Sequence, residues 1–352
     1  VLRAETDLTV EWTDNVNLTS GNGSTSAPAA SDMIITPTIG MSALVPISNL
    51  NTLRFRASVG YIKYLRNSNL DRSNIVVDSG SGSNSGISFD MLVDNLRVNF
   101  HDRFSVQNDL VNVGTVSGVA QLPRFNNTIG VQALWDLNAV IITVGYDHLN
   151  FITLGPPKTT QGDVQQNQDR LNYSTDQFSA SATYKIGPAI LGGIEGTASY
   201  TRYPNFDTAD YTNFSIGPTL EVQLTHLTHI SASGGLKFYT VPNGGAPAAV
   251  SLDSTPAPVT GNGTRPGYYA NLTVTHRLNR FYSDSLSAGH TDDATSLSGR
   301  SQTDFVRYSS TWQISRRFAI GPGLFFEHVN QDTSSAFGGA TPQSFQRYGC
   351  TL

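Results

Sequence analysis

Apolar and polar residues alternate one by one through long stretches of this chain, and that rhythm admits few folds. From Phe214 to Leu224, Phe214, Ile216, Pro218, Leu220, Val222 and Leu224 are apolar, while Ser215, Gly217, Thr219, Glu221 and Gln223 are small or polar. Successive side chains of a strand point to opposite faces, so this segment has one apolar face and one wet face. Leu8, Val10 and Trp12 do the same in a first strand near 6–15, and Met33, Ile35, Pro37, Ile39, Met41, Ala43 and Val45 in a second. Leu53, Phe55, Ala57, Val59 and Tyr61 alternate with Arg54, Arg56, Ser58 and Gly60 in a third. Later runs begin at Ile129, Val140, Phe178, Ile190, Ile230, Val306 and Phe318. After Val93 the phase slips by one residue, which predicts a bulge or an early turn at Asp94 and Asn95. No stretch carries a helical period.

The joints between runs alternate in length. Short ones are expected near 48–51, 137–138, 187–188, 228–229, 279–281 and 316–317. Long ones, rich in Gly, Ser, Asn, Pro and Thr, are expected near 20–31, 67–85, 155–170, 203–212, 242–264 and 331–342. Tight turns at one rim and long loops at the other predict a transmembrane antiparallel up-and-down β-barrel. About sixteen strands are expected, within a range of sixteen to eighteen, with short periplasmic turns and long extracellular loops. The strand begun at Phe345 either closes the barrel or continues past Leu352. A β-sandwich rarely needs so many long strands, and a propeller would show a fixed repeat. The whole chain, 1–352, reads as one barrel domain.

Composition fits that architecture. The chain has 352 residues, 38% of them hydrophobic, with a mean hydropathy of −0.20. A membrane helix needs a run of about 18 apolar residues, and none exists. A barrel strand needs only every second residue to be apolar. Charged residues make up 14%, against roughly 25% in soluble domains. The net charge of −5 gives no electrostatic footprint for nucleic acid. The single cysteine, Cys350, excludes an internal disulfide framework.

Catalytic signatures are missing: there is no G-x-S-x-G elbow, P-loop, H-E-x-x-H or dinucleotide fingerprint. His226 and His229 lie three apart at a strand end and a turn, where an odd offset sends them to opposite faces. His276 falls on the outward face near a short turn, without a serine and asparagine pattern that would make it a hydrolase dyad. The chain is therefore expected to be no enzyme, with no cofactor and no metal. Function is expected on the inward face, where the phase sends Glu11, Arg54, Arg56, Asp136, Lys185, Glu195, Glu221, Lys237, Arg277, Arg307 and Glu327. These residues either impose a field on passing solutes or pair across strands and stabilise the wall. Basic residues slightly outnumber acidic ones, a hint of anion preference. Trp135, Tyr184 and Trp312 lie outward, a few residues before short turns, as an interfacial aromatic girdle does.

The opening run Leu8-Thr9-Val10-Glu11-Trp12-Thr13-Asp14-Asn15-Val16 resembles the recurrent first strand of Gram-negative outer-membrane barrels, namely the β-barrel porin 2 group and the barrels associated with exopolysaccharide and exosortase gene sets. The resemblance implies a Gram-negative outer-membrane location, with membrane lipid and a homo-oligomer or envelope protein as partners. The leading expectation is a porin-like channel for passive diffusion of small hydrophilic solutes. The loops at 242–264 and 67–85 are its candidate constrictions. The alternatives are an export conduit or docking partner for exopolysaccharide or a surface assembly, with Tyr239 and Tyr269 as sugar-stacking candidates, and a structural or adhesive barrel displaying its loops.

Overall fold

The computed structural model describes residues 1–16, 30–77, 86–107, 123–155, 158–159, 162–163, 172–205, 210–240, 264–295, 299–331 and 343–352. The period-two segments form sixteen antiparallel strands in one closed sheet. They are β1 (Leu2–Thr13), β2 (Asp32–Pro46), β3 (Asn51–Tyr64), β4 (Arg72–Val77 continued by Ile87–Val93), β5 (Leu96–Gln107), β6 (Arg124–Asp136), β7 (Val140–Thr153) and β8 (Tyr173–Gly187). Then follow β9 (Ile190–Arg202), β10 (Tyr211–Thr225), β11 (Thr228–Thr240), β12 (Thr264–His276), β13 (Tyr282–Thr295), β14 (Gly299–Ser315), β15 (Phe318–Ile320 continued by Gly323–Gln331) and β16 (Gln343–Thr351). Each strand pairs with its neighbours in sequence. The ring closes where β16 meets β1, with Glu11 opposite Thr351 and Thr13 opposite Gly349. Reciprocal backbone bonds between Val10 and Leu352 extend that seam.

Two strands are interrupted, each for a local reason. Both halves of β4 lie between β3 and β5, and the second half is entered through Gly86 at φ +77°. A Cβ there would lie 2.1 Å from the Asp102 carbonyl oxygen, so only glycine lets the backbones approach so closely. In β15 the break falls at Gly321 and Pro322, where proline has no N–H for the ladder. The Pro322 carbonyl still accepts from the Ser310 amide at 2.8 Å.

Several expected boundaries move. β1 begins at Leu2, ahead of position 6. The phase slip is a turn: Asp94, at φ 50°, and Asn95 join Val93 and Leu96, which pair across a tight hairpin. The turn expected at 228–229 lies at His226 and Leu227, because Thr225 pairs with Thr228 and the Thr225 hydroxyl accepts from the Leu227 amide at 3.2 Å. The expected loop 67–85 contains the first half of β4. At the long-loop rim, β13 and β14 are joined by 296–298 alone. The 242–264 loop lies outside the described residues, apart from Thr264.

The two faces separate cleanly. Opposed residues of paired strands point to the same side, and one side carries exposed apolar side chains. Leu8, Ile39, Val59, Ile129, Val144, Phe178, Ile194, Ile216, Leu236, Leu272, Val306 and Leu324 all belong to it. Along β8 this face is apolar from Ile186 to Phe178, with Tyr184, Ala182 and Ala180 between, and turns polar at Asp176. These nine residues, at the usual rise and barrel tilt, cover roughly 23 Å of membrane normal, close to the apolar band of such barrels.

Candidate functional site

The opposite face is identified as the lumen wall by bonds that skip a strand. Glu5 on β1 reaches Arg56 on β3 at 2.6 Å. His101 on β5 meets Asp147 on β7 at 2.7 Å, and Lys185 on β8 meets Asp136 on β6 at 2.9 Å. Lys237 on β11 pairs with Asp293 on β13. Tyr269 on β12 donates to Glu195 on β9 at 3.1 Å, passing two strands. Neighbouring strands are ~4.8 Å apart, so such reaches succeed only on the concave side, where side chains converge.

Glycine makes room for several of these bridges. A Cβ on Gly40 of β2 would lie 3.1 Å from Glu5 Cγ, so the Glu5–Arg56 bridge passes over it. A Cβ on Gly130 of β6 would lie 2.1 Å from Asp147 Oδ1 and 2.8 Å from His101 Nε2. The row linking Tyr269 to Glu195 contains Gly235, opposite Tyr269, and Gly217, opposite Glu195.

The wall charges form connected sets. Arg347 on β16 donates to Glu11 at 2.9 Å and lies 3.6 Å from Glu327 on β15, while Arg307 on β14 donates to Glu327 at 2.7 Å. The two guanidinium groups sit over the Phe325 and Phe305 rings. A second set joins Asp90 on β4 to Arg54 (3.7 Å), Arg97 (3.0 Å) and Asn99 (3.0 Å). Asn99 leads on to His101 at 3.0 Å. Of the residues expected on this wall, Arg54 thus pairs with Asp90 and Arg56 with Glu5. Glu221 lies exposed between Leu191 and Ser231. Arg277 is one residue beyond β12, exposed in the turn.

Sequence reasoning missed Glu5, Asp90, Arg97, His101, Asp147, Asp293 and Arg347. Glu5 falls ahead of the expected start of β1, and Asp90 and Arg97 flank the phase slip. Arg347 lies in the last strand, in phase with Phe345, so the same alternation could have found it.

At the long-loop rim the inner face turns apolar. Ile34 and Tyr64, opposed across β2 and β3, pack with Ile62, Val16 and Leu70. Leu70 ends a short 3-10 turn, Ser68–Leu70. Asp32 fastens this segment to the wall by accepting from the Arg66 amide (3.0 Å), the Asn67 amide (3.0 Å) and Asn67 Nδ2 (2.7 Å). On another arc of the same rim, Phe151 stacks on Tyr173 at 4.8 Å, and Tyr173 contacts Tyr203 at 5.5 Å. Tyr239, expected as a stacking residue, is buried and donates to Asp292 at 3.1 Å.

On the outer face, Trp135, Tyr184 and Trp312 stand about half exposed near the short turns. A second aromatic level lies toward the loops, where Trp12 contacts Tyr348 at 5.7 Å, Tyr146 contacts Phe178 at 4.9 Å and Tyr268 stacks on His290 at 4.1 Å. Closed backbone bonding and an apolar band between two aromatic levels are what a hydrocarbon layer requires. The chain is a membrane-spanning β-barrel. Among the described residues no group of three or more His, Cys, Asp or Glu is arranged to hold a metal ion.

No family model matches the chain, and no curated protein is similar to it. Among solved structures it is similar to OccAB3 of Acinetobacter baumannii, at 11% identity over 99% of this chain and 98% of that one, with a TM-score of 0.48. It is also similar to in-vitro folded OmpT of Vibrio cholerae in its trimer form, at 9% identity over 99% and 98%, with a TM-score of 0.47. A bacterial polysaccharide outer membrane secretin is similar at 9% identity over 99% and 97%, with a TM-score of 0.44.

Proposed function

We propose that this barrel is a channel of the Gram-negative outer membrane through which small hydrophilic solutes diffuse passively. The observation that carries the reading is the lumen wall itself: sixteen strands whose inward residues, below the apolar long-loop rim, are mainly hydroxyls, amides and paired charges. Barrels of that size enclose an aqueous pathway, whereas smaller ones fill with side chains. The resemblance of residues 8–16 to the β-barrel porin 2 group supports the same reading. In it, Glu11, Arg54, Arg56, Asp136, Lys185, Glu195, Lys237, Arg307 and Glu327 tune the field, and the segment fastened by Asp32 narrows the outer mouth. The reading assigns no catalytic step.

Osmotic swelling of proteoliposomes tests it. Vesicles carrying the folded barrel swell in isosmotic arabinose and glucose, more slowly as the solute grows. Vesicles that swell no faster than protein-free ones, with the barrel shown to be inserted, exclude a diffusion channel.

A further inference from the structure

The inner wall is chemically divided. β1–β7 and β14–β16 carry the larger linked charge sets described above, whereas β8–β13 present mainly hydroxyls and amides around Lys185, Glu195, Lys237 and Asp293. Thr175 bonds Thr201 at 2.9 Å, Thr197 bonds Ser215 at 2.6 Å and Thr273 bonds Ser287 at 3.1 Å. A recess of about 530 Å³ opens on this second arc. Its lining includes Gln177, Ser181, Thr197, Asn213, Glu195 and Tyr269.

Tyr269 has an unusual posture, set by its register. The row across the sheet runs Tyr269, Gly235, Gly217, Glu195. The two glycine backbones are close enough that a Cβ on Gly217 would lie 2.6 Å from Gly235 Cα. The span from β12 to β9 is three strand spacings, ~14 Å. A hydrogen bond over that span requires both side chains to lie flat along the wall. The glycines supply a floor without side chains. Tyr269 thus extends along that floor and lines the recess.

The charges of the recess are already engaged, Lys237 by Asp293 and Glu195 by the tyrosine hydroxyl. Among the described residues of the recess, an anion finds no unengaged cation. A flat aromatic face among Ser, Thr, Asn and Gln suits a solute with apolar C–H faces and a rim of hydroxyls. We infer that this recess is a binding site for an uncharged oligosaccharide, with Tyr269 as the stacking platform and the surrounding hydroxyls and amides as exchangeable hydrogen-bond partners. The inference rests on the reading of the barrel as a solute pathway and names the solute class it retains.

The test uses the full chain, refolded in detergent, with maltohexaose as the neutral probe and hexagalacturonate as the charged probe of equal length. Equilibrium dialysis reads binding without requiring conduction, and heat-modifiable migration verifies that each variant is folded. The expected result is saturable maltohexaose binding, weaker hexagalacturonate binding, about tenfold loss in Tyr269→Ala and near-native binding in Tyr269→Phe. No saturable binding, equal binding of both probes, or binding unchanged in Tyr269→Ala overturns the inference. Swelling of proteoliposomes without maltohexaose binding leaves the channel standing and removes the site. Binding without swelling keeps the site and removes the channel.

Discussion

Arg347 on the last strand donates to Glu11 on the first at 2.9 Å, placing an ion pair across the seam that closes the barrel. The same guanidinium faces Glu327, whose side chain is 4% exposed against 10% for Arg347. Removing the arginine leaves two carboxylates without their shared cation in a largely desolvated place. Breaking a buried pair from one side costs about 3–5 kcal/mol. Arg347→Ala is therefore expected to lose about 3 kcal/mol, the lower end, because the lumen admits water. Glu327→Gln, which keeps a hydrogen-bond acceptor, loses less. Urea midpoints of the detergent-refolded barrel, followed by heat-modifiable migration, check both; an unchanged midpoint in Arg347→Ala contradicts the seam's role.

Gly130 is predicted to resist replacement. A Cβ there would lie 2.6 Å from the Tyr146 carbonyl oxygen as well as 2.1 Å from Asp147 Oδ1, so Gly130→Ala must displace backbone or break the His101–Asp147 bridge. Overpacking of this kind costs about 1–3 kcal/mol. At Gly187 an added Cβ meets nothing within 4 Å, and Gly187→Ala should stay within about 0.5 kcal/mol of the parent. Equal effects at the two positions would show that Gly130 does not make room for the His101–Asp147 bridge.

The strands were legible in the sequence because a wall between lipid and water imposes alternation at every position, and one wrong phase inverts a whole strand. The partners were not. Nothing in the period tells Arg56 that Glu5, two strands away, lies within reach while Glu11 does not. That depends on barrel curvature and on Gly40 beneath the bridge. Asp90 escaped notice because the tight turn at Asp94 and Asn95 reset the phase around it. The inward glycines carry the missing signal: Gly40, Gly130, Gly217 and Gly235 mark where side chains cross.

The three tryptophans report the membrane's edges. Trp135 and Trp312 belong to the level near the short turns, and Trp12 to the level near the loops. In proteoliposomes of brominated phosphatidylcholines, single-tryptophan variants should each be quenched more by bromines near the headgroup than by bromines near the chain ends. Stronger quenching from the bilayer centre at any of the three would misplace the apolar band.

The Glu5–Arg56 pair offers a test of how wall charges act on ions. Arg56→Gln exposes the Glu5 carboxylate and should shift the reversal potential under a salt gradient toward cation preference. Glu5→Gln should shift it toward anions. The double variant should return close to the parent value. Parallel shifts from both single substitutions would show that the pair does not face the ion path.

Single-channel conductance of the folded protein in a planar bilayer bears most directly on the central claim, that sixteen strands here enclose a continuous water path. The account predicts stable stepwise conductance that rises in proportion to salt concentration, with a small reversal potential because most wall charges are paired. Silence from a barrel verified as folded and inserted would contradict it.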